Sequence, residues 1–235
     1  MKVLILVLSM NDGEHYSQFF ETQKETWDSI DVDGFKTFYY FGNCLENKIV
    51  NNEIHLTVNE SLFTTSKKFI ESLKLIKDFD FDYIIRTNSS SYIDKIKIKE
   101  FLENKPNEKF ISGIIGSHQS VNFVSGACFF MSKDIVNFIL ENEKDIDLNI
   151  IDDLSLGYFF KKHNLTITDK DVTRFDSKKE HLTKAHKISA EHFHYRILTG
   201  TSTERHDDIE IMKLIHELKL KKYNKRQYYK SLLTN

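Results

Sequence analysis

Three groups of side chains in this chain of 235 residues have the types and spacing to do chemistry. Asn88-Ser89-Ser90-Ser91 is a run of small polar residues directly after the apolar Tyr83-Ile84-Ile85. It reads either as a plain polar turn or as a ligand loop at the end of a buried strand. Asp152-Asp153 is a carboxylate pair at the start of a helical segment. Such a pair either complements the helix dipole or accepts a proton from a reacting group. Arg86, Arg196 and Arg205 are guanidinium groups, which bind phosphate oxygens through a planar fork. His181, His186, His192 and His194 fit no zinc-site spacing. With no G-x-x-x-x-G-K, H-E-x-x-H or G-x-S-x-G motif, P-loop kinases, zincins and α/β-hydrolases are without support.

These residues need a frame, and the hydrophobic pattern supplies one. Val3 to Leu8 and Tyr83 to Ile85 are continuous apolar runs, the mark of parallel strands buried on both faces. The first ends in the turn Ser9 to Gly13, the second in the Asn88 loop. Tyr16, Phe19, Phe20, Trp27 and Ile30 recur at helical spacing, as do Phe69, Ile70, Leu73 and Ile76. Phe35 to Phe41, Ile54 to Val58, Phe110 to Ile115 and Leu165 to Asp169 read as further strands, and Lys95 to Glu103 as a short helix. The alternation predicts an α/β fold with a mainly parallel central sheet and flanking helices. His192 to Ile197 alternates like a strand, with His192, His194 and Arg196 on one face. Lys170 to Lys187 reads as a polar loop, and Thr199 to Thr203 as a small, flexible loop suited to closing over a ligand. A final helix begins near Ile211 and turns basic through Lys219, Lys221, Lys222, Lys225, Arg226 and Lys230, a face that is usually solvated but can meet anionic lipid.

Composition narrows the partners. A formal net charge of -2 gives no global attraction to nucleic acid, and no nucleic-acid partner is expected. Cys44 and Cys128 are far apart, which suits a reducing compartment. No run approaches the roughly 20 apolar residues of a membrane span, and Val3 to Leu8 suits a first strand better than a signal peptide, so a cytoplasmic location is expected.

Three segments in order carry a resemblance. Asp82-Tyr-Ile-Ile-Arg-Thr-Asn-Ser-Ser-Ser-Tyr-Ile-Asp94, Ser125-Gly-Ala-Cys-Phe-Phe-Met-Ser-Lys-Asp134 and Ile151-Asp-Asp-Leu-Ser-Leu-Gly-Tyr-Phe-Phe160 resemble GT-A fold glycosyltransferases of the β-1,3-galactosyltransferase and Fringe type. The resemblance implies a GT-A domain over residues 1–204, with residues 205–235 as a basic C-terminal helix. It also implies a helix capped by Ser132, and inverting transfer of a sugar from a nucleotide-sugar, with a UDP-sugar as the expected donor, to a hydroxyl of a glycan acceptor. Asp153 aligns with the general base, with Asp152 as the alternate. Ser9, Asp82, Arg86, Asn88, Ser89, Ser90, Arg196 and Arg205 are the expected donor contacts. Asn88-Ser89-Ser90 stand where the family carries its metal-binding aspartates, and neutral oxygens are poor ligands for a hard cation. Manganese or magnesium is then held weakly, with help from Ser90, Asp94 and His194, or guanidinium groups take its place. The alternative is a non-catalytic relative that binds a nucleotide-sugar or glycan.

Overall fold

The computed structural model describes residues 1–10, 13–168, 175–176, 192–198 and 205–233. At its centre β1 (Val3–Leu8) lies parallel between β2 (Phe35–Phe41) and β5 (Tyr83–Asn88). Alternate residues of β1 serve different cores, which is why the run has no polar position. Val3, Ile5 and Val7 pack toward Phe19 and Trp27, whereas Leu4 and Leu6 pack toward Phe69, Ile70 and Leu73. The first of these faces is covered by α1 (Glu14–Glu25), the second by α2 (Thr65–Ile76).

Beyond β2 come β4 (Glu53–His55), parallel, and the short antiparallel edge β3 (Lys48–Val50). On the other side, β8 (Val121–Ser132) and β7 (Ile111–His118) run antiparallel, completing a seven-stranded sheet in the order β3-β4-β2-β1-β5-β8-β7. The expected α/β class with a parallel centre and flanking helices is therefore what the chain adopts. A second sheet holds β6 (Ser91–Ile93), β10 (His194–Arg196) and β9 (Phe175–Asp176). The remaining helices are α3 (Lys95–Leu102), α4 (Lys133–Glu141), α5 (Asp152–Lys162) and α6 (His206–Leu233). None among the described residues is long and apolar enough to cross a membrane.

Three local expectations change. Leu165 to Thr168 makes no strand; instead the Thr168 N–H and hydroxyl both donate to Ile111 O, so a side chain completes the edge of β7. Ser132 stands at the N-cap of α4 but its hydroxyl does not cap it. That oxygen accepts from Phe110 N at 3.0 Å and donates to Asp134. The polar loop Lys170 to Lys187, apart from the two residues of β9, and Thr199 to Thr203 lie outside the described residues, as do His181 and His186.

The third change concerns the basic tail. Asp208, Met212, Ile215 and Lys219 are buried along one stripe of α6, where Met212 and Ile215 join the core that contains Phe19 and Tyr92. Lys219 is thus not part of a solvated face. Its ammonium lies 3.0 Å from Asp94 Oδ2 and donates to His192 O at 2.6 Å, while the Tyr223 hydroxyl donates to the same carboxylate oxygen. Burial lowers the Lys219 pKa, against the pull of Asp94. Lys221 and Lys222, by contrast, are exposed, with Lys221 3.9 Å from Glu217 one turn before it. Removing one member of a buried pair leaves the other charge without compensation, so Lys219→Ala is expected to cost about 3–5 kcal/mol, read as a lower urea midpoint with an unchanged slope.

Candidate active site

The site is built around a buried charge. Arg86, two residues past Ile84 on β5, points into the face covered by α2 and meets Asp152 in the first turn of α5. Both side chains are nearly inaccessible. Burial works against the guanidinium, but Asp152 and then Tyr40 outweigh it and raise its pKa, so Arg86 keeps its charge. Burial pushes Asp152 upward, with Arg86 opposing. The Tyr40 hydroxyl is raised by its own burial beside the pair.

Two glycines make room for this arrangement. A Cβ on Gly126 would sit 2.7 Å from Arg86 Nη1 and 3.3 Å from Asp152 Oδ1. A Cβ on Gly157 would meet Phe123 Cβ at 2.6 Å, so this residue lets α5 lie directly on β8. The Asp-Asp-x-x-x-Gly spacing then has a plain physical reading. Its first aspartate neutralises Arg86, its glycine brings the helix onto the sheet, and its second aspartate is left at the surface of the site. Asp153 is partly exposed; its Oδ2 accepts from Gly126 N at 3.1 Å and its Oδ1 from Leu154 N at 2.8 Å. Asp152, the alternate base, is closed off by its burial and its partner.

Beyond the carboxyl ends of β1 and β5 lies a cavity of about 370 Å³ whose lining includes Tyr16, Glu60, Lys68, Asn88, Ser89 and Arg205. This is where ligands bind in open α/β sheets. Lys68 donates to Ser9 O at 2.9 Å and to both Glu60 oxygens at 2.8 and 2.7 Å. Burial lowers the Lys68 pKa, with Glu60 pulling it back. Ser9 thus reaches the site through its carbonyl. Asp82 does not reach it. That residue accepts from Lys2 N at the other end of β5, and six strand residues place it about 20 Å from the cavity.

Asn88 organises the loop. Its side-chain oxygen accepts from the Ser90 N–H and hydroxyl and from the Ser91 hydroxyl, at 3.0–3.2 Å. Gln23 of α1 fastens both ends, donating to Asn88 O at 3.1 Å and Ser91 O at 2.9 Å. Next to it, His194 Nε2 lies 3.0 Å from Ser91 Oγ, because β10 runs antiparallel to β6 with His194 opposite Ile93 and Arg196 opposite Ser91. These contacts do not fit a divalent cation. Asp94 is engaged by Lys97 N, Lys219 and Tyr223, Ser90 turns back on Asn88, and His194 is buried against Ser91. Among the described residues no group of three His, Cys, Asp or Glu side chains is placed to hold a metal ion.

Arg196 lies within electrostatic range of both Arg86 and Arg205. Arg205 donates from Nε to Asp208 Oδ2 at 2.6 Å and from Nη2 to Ile197 O at 3.0 Å. Burial lowers the Arg196 pKa, and the repulsion of Arg205 and Arg86 lowers it further. Gln23, Glu60 and Lys68 carry no motif that marks them as part of a site, and Gly126 falls within the segment Ser125 to Asp134 without having been singled out there. For Gln23 the available signal is its position four residues after Phe19, a polar residue in an apolar helical stripe.

A scan against protein-family models and a search of the curated proteins find no match. Among solved structures, the chain is similar to the apo-form glycosyltransferase GlyE of Streptococcus pneumoniae TIGR4, with a TM-score of 0.40 and 11% identity. The match covers 69% of this chain and 44% of GlyE, so the chain spans less than half of GlyE's length.

His194 gives the site a pH signature. Burial first, then the neighbouring Arg196, push its pKa down from 6.5 to about 3. The folded imidazole stays neutral where the unfolded one takes a proton, so this contribution is complete above pH 6.5 and falls as the pH drops toward about 3. Urea unfolding of wild type and His194→Gln at pH 7 and pH 5 is expected to narrow the stability difference between them by about 2 kcal/mol at the lower pH.

Proposed function

We propose that this chain is a GT-A glycosyltransferase that moves a sugar from a nucleotide-sugar, in the first instance a UDP-sugar, to a glycan hydroxyl with inversion. The observation that carries this reading is the division of labour in the carboxylate pair. Asp152 is locked to Arg86, while Asp153, fixed by Gly126 N–H at the start of α5, is the accessible proton acceptor. The cavity beyond β1 and β5 offers room for the nucleotide, with Asn88 and Ser89 on its wall. The three ordered segments that resemble the β-1,3-galactosyltransferase and Fringe type agree with that placement.

In this reading Asp153 takes the proton of the acceptor hydroxyl as its oxygen attacks the anomeric carbon. The bond from that carbon to the β-phosphate oxygen breaks, and its electron pair leaves with the nucleoside diphosphate. The sugar ends on the acceptor with inverted configuration, and the proton passes from Asp153 to solvent.

A panel of nucleotide-sugars, assayed for transfer and hydrolysis with and without manganese, tests the proposal. Asp153→Asn is expected to lower transfer by at least about 100-fold while nucleotide affinity stays within about twofold, since a positioned base acts on the chemical step and not on donor binding. A loss of only a few-fold would remove Asp153 from the role. Nucleotide binding without turnover of any donor would make the chain a binding protein on the same fold.

A further inference from the structure

Arg86 and Arg205 both lie within electrostatic range of Arg196, and each of the two already has a carboxylate partner. Arg86 is paired with Asp152 and Arg205 with Asp208. Arg196 has none within ion-pair distance among the described residues, and its buried Nε has no hydrogen-bond partner there. An unpaired, partly buried cation next to two others of the same sign is unfavourable unless something negative joins it.

The position of Arg196 is set by the fold. Antiparallel pairing of β10 with β6 puts Arg196 opposite Ser91, and Ile197 N donates to Ser90 O at 2.8 Å. Arg205 grips Ile197 O from the other side and lines the cavity. Arg196 is therefore held one residue before the carbonyl that the cavity-lining Arg205 grips, within electrostatic range of both Arg205 and Asp153. In a sugar transfer with inversion the phosphate that gains charge must lie on the opposite side of the anomeric carbon from the base. The residues expected to hold a cation against that phosphate are engaged elsewhere: Asp94 with Lys97, Lys219 and Tyr223, His194 beside Ser91, Ser90 with Asn88.

We propose that Arg196 is the group that receives the departing nucleoside diphosphate, its guanidinium replacing a protein-held divalent cation, with Arg205 as the fixed wall that positions it. The proposal rests on the glycosyltransferase reading above. As the bond from the anomeric carbon to the phosphate oxygen breaks, the electron pair moves onto that oxygen, and the Arg196 N–H groups donate to it. No proton or electron is exchanged with the arginine. Such donors, preorganised in a site shielded from water, are where charge stabilisation is most effective.

The experiment compares wild type, Arg196→Ala and Arg196→Gln in excess EDTA, using UDP, GDP, ADP and CDP, each with its parent nucleoside, by calorimetry, and the donor panel for turnover. Wild type is expected to prefer one diphosphate over its nucleoside by at least about tenfold without metal, and both variants to lose that preference while binding the nucleoside normally. Turnover in EDTA is expected to persist in wild type and to fall at least about 100-fold in kcat in the variants. Because the replaced charge has no ion-pair partner among the described residues, the ligand-free variants are expected to unfold at a temperature no lower than wild type. This result separates a ligand contact from a structural one and guards against a variant that merely fails to fold. Three results would overturn the proposal: a variant that keeps the diphosphate preference, a wild type that shows it only after manganese is added, or variants that melt well below wild type. Turnover that requires manganese would leave the glycosyltransferase reading standing and remove only Arg196. If wild type binds no nucleotide and turns over no donor, both fall together.

Discussion

The Arg86–Asp152 pair constrains more of this structure than any other contact. A charge taken out of water is costly, and the cost is offset only where the opposite charge is held close in good geometry. That requirement fixes β5, which carries Arg86, against α5, which carries Asp152 in its first turn. It also dictates the neighbours. Gly126 must lack a side chain for the guanidinium to fit, and Gly157 must lack one for α5 to approach β8 closely enough to deliver the carboxylate. Asp153 inherits its position from this arrangement, since the residue after a pinned helical start has little freedom, and Gly126 N–H removes what is left.

A second buried charge does the same for the smaller sheet. Asp94 caps α3 through Lys97 N and meets Lys219 and Tyr223 of α6. The link matters because β6, which directly precedes Asp94, pairs with β10, and Lys219 also holds His192 O just ahead of that strand. Together they put Arg196 and His194 beside the Asn88 loop. Asp94, one of the three residues expected to help hold a metal, is thus a structural joint, while the loop satisfies itself through Asn88 Oδ1 and the two strapping bonds from Gln23.

Charges in this protein divide into those that are paired within the fold and those left to act. Asp152, Asp94, Glu60 and Asp208 each have a cationic partner in Arg86, Lys219, Lys68 and Arg205. Among the described residues Asp153 and Arg196 have no such close partner, and they lie within electrostatic range of each other. On the function proposed above, the first is the base and the second the anion receiver, the two groups that a transfer from phosphate to a hydroxyl requires.

The sequence by itself determined the parallel centre of the sheet and picked out the polar loop that follows one of its strands. The polar-free runs Val3 to Leu8 and Tyr83 to Ile85 make sense only as strands buried on both faces, and a polar loop after such a strand marks the ligand end of the sheet. It also singled out Asp152, Asp153 and the three arginines, because paired carboxylates and guanidinium groups stand out by type. What it did not contain was who pairs with whom. Arg86 and Asp152 are far apart along the chain, as are Asp94 and Lys219, and one-dimensional spacing says nothing about contacts made through the third dimension. Only the tertiary structure decided that Asp82 lies at the wrong end of its strand, that Lys219 belongs inside, and that Asp152 is closed while Asp153 is open. The physical reason is common to all three: a residue's type sets what it can do, but burial and the charges folded against it set whether it is free to do it.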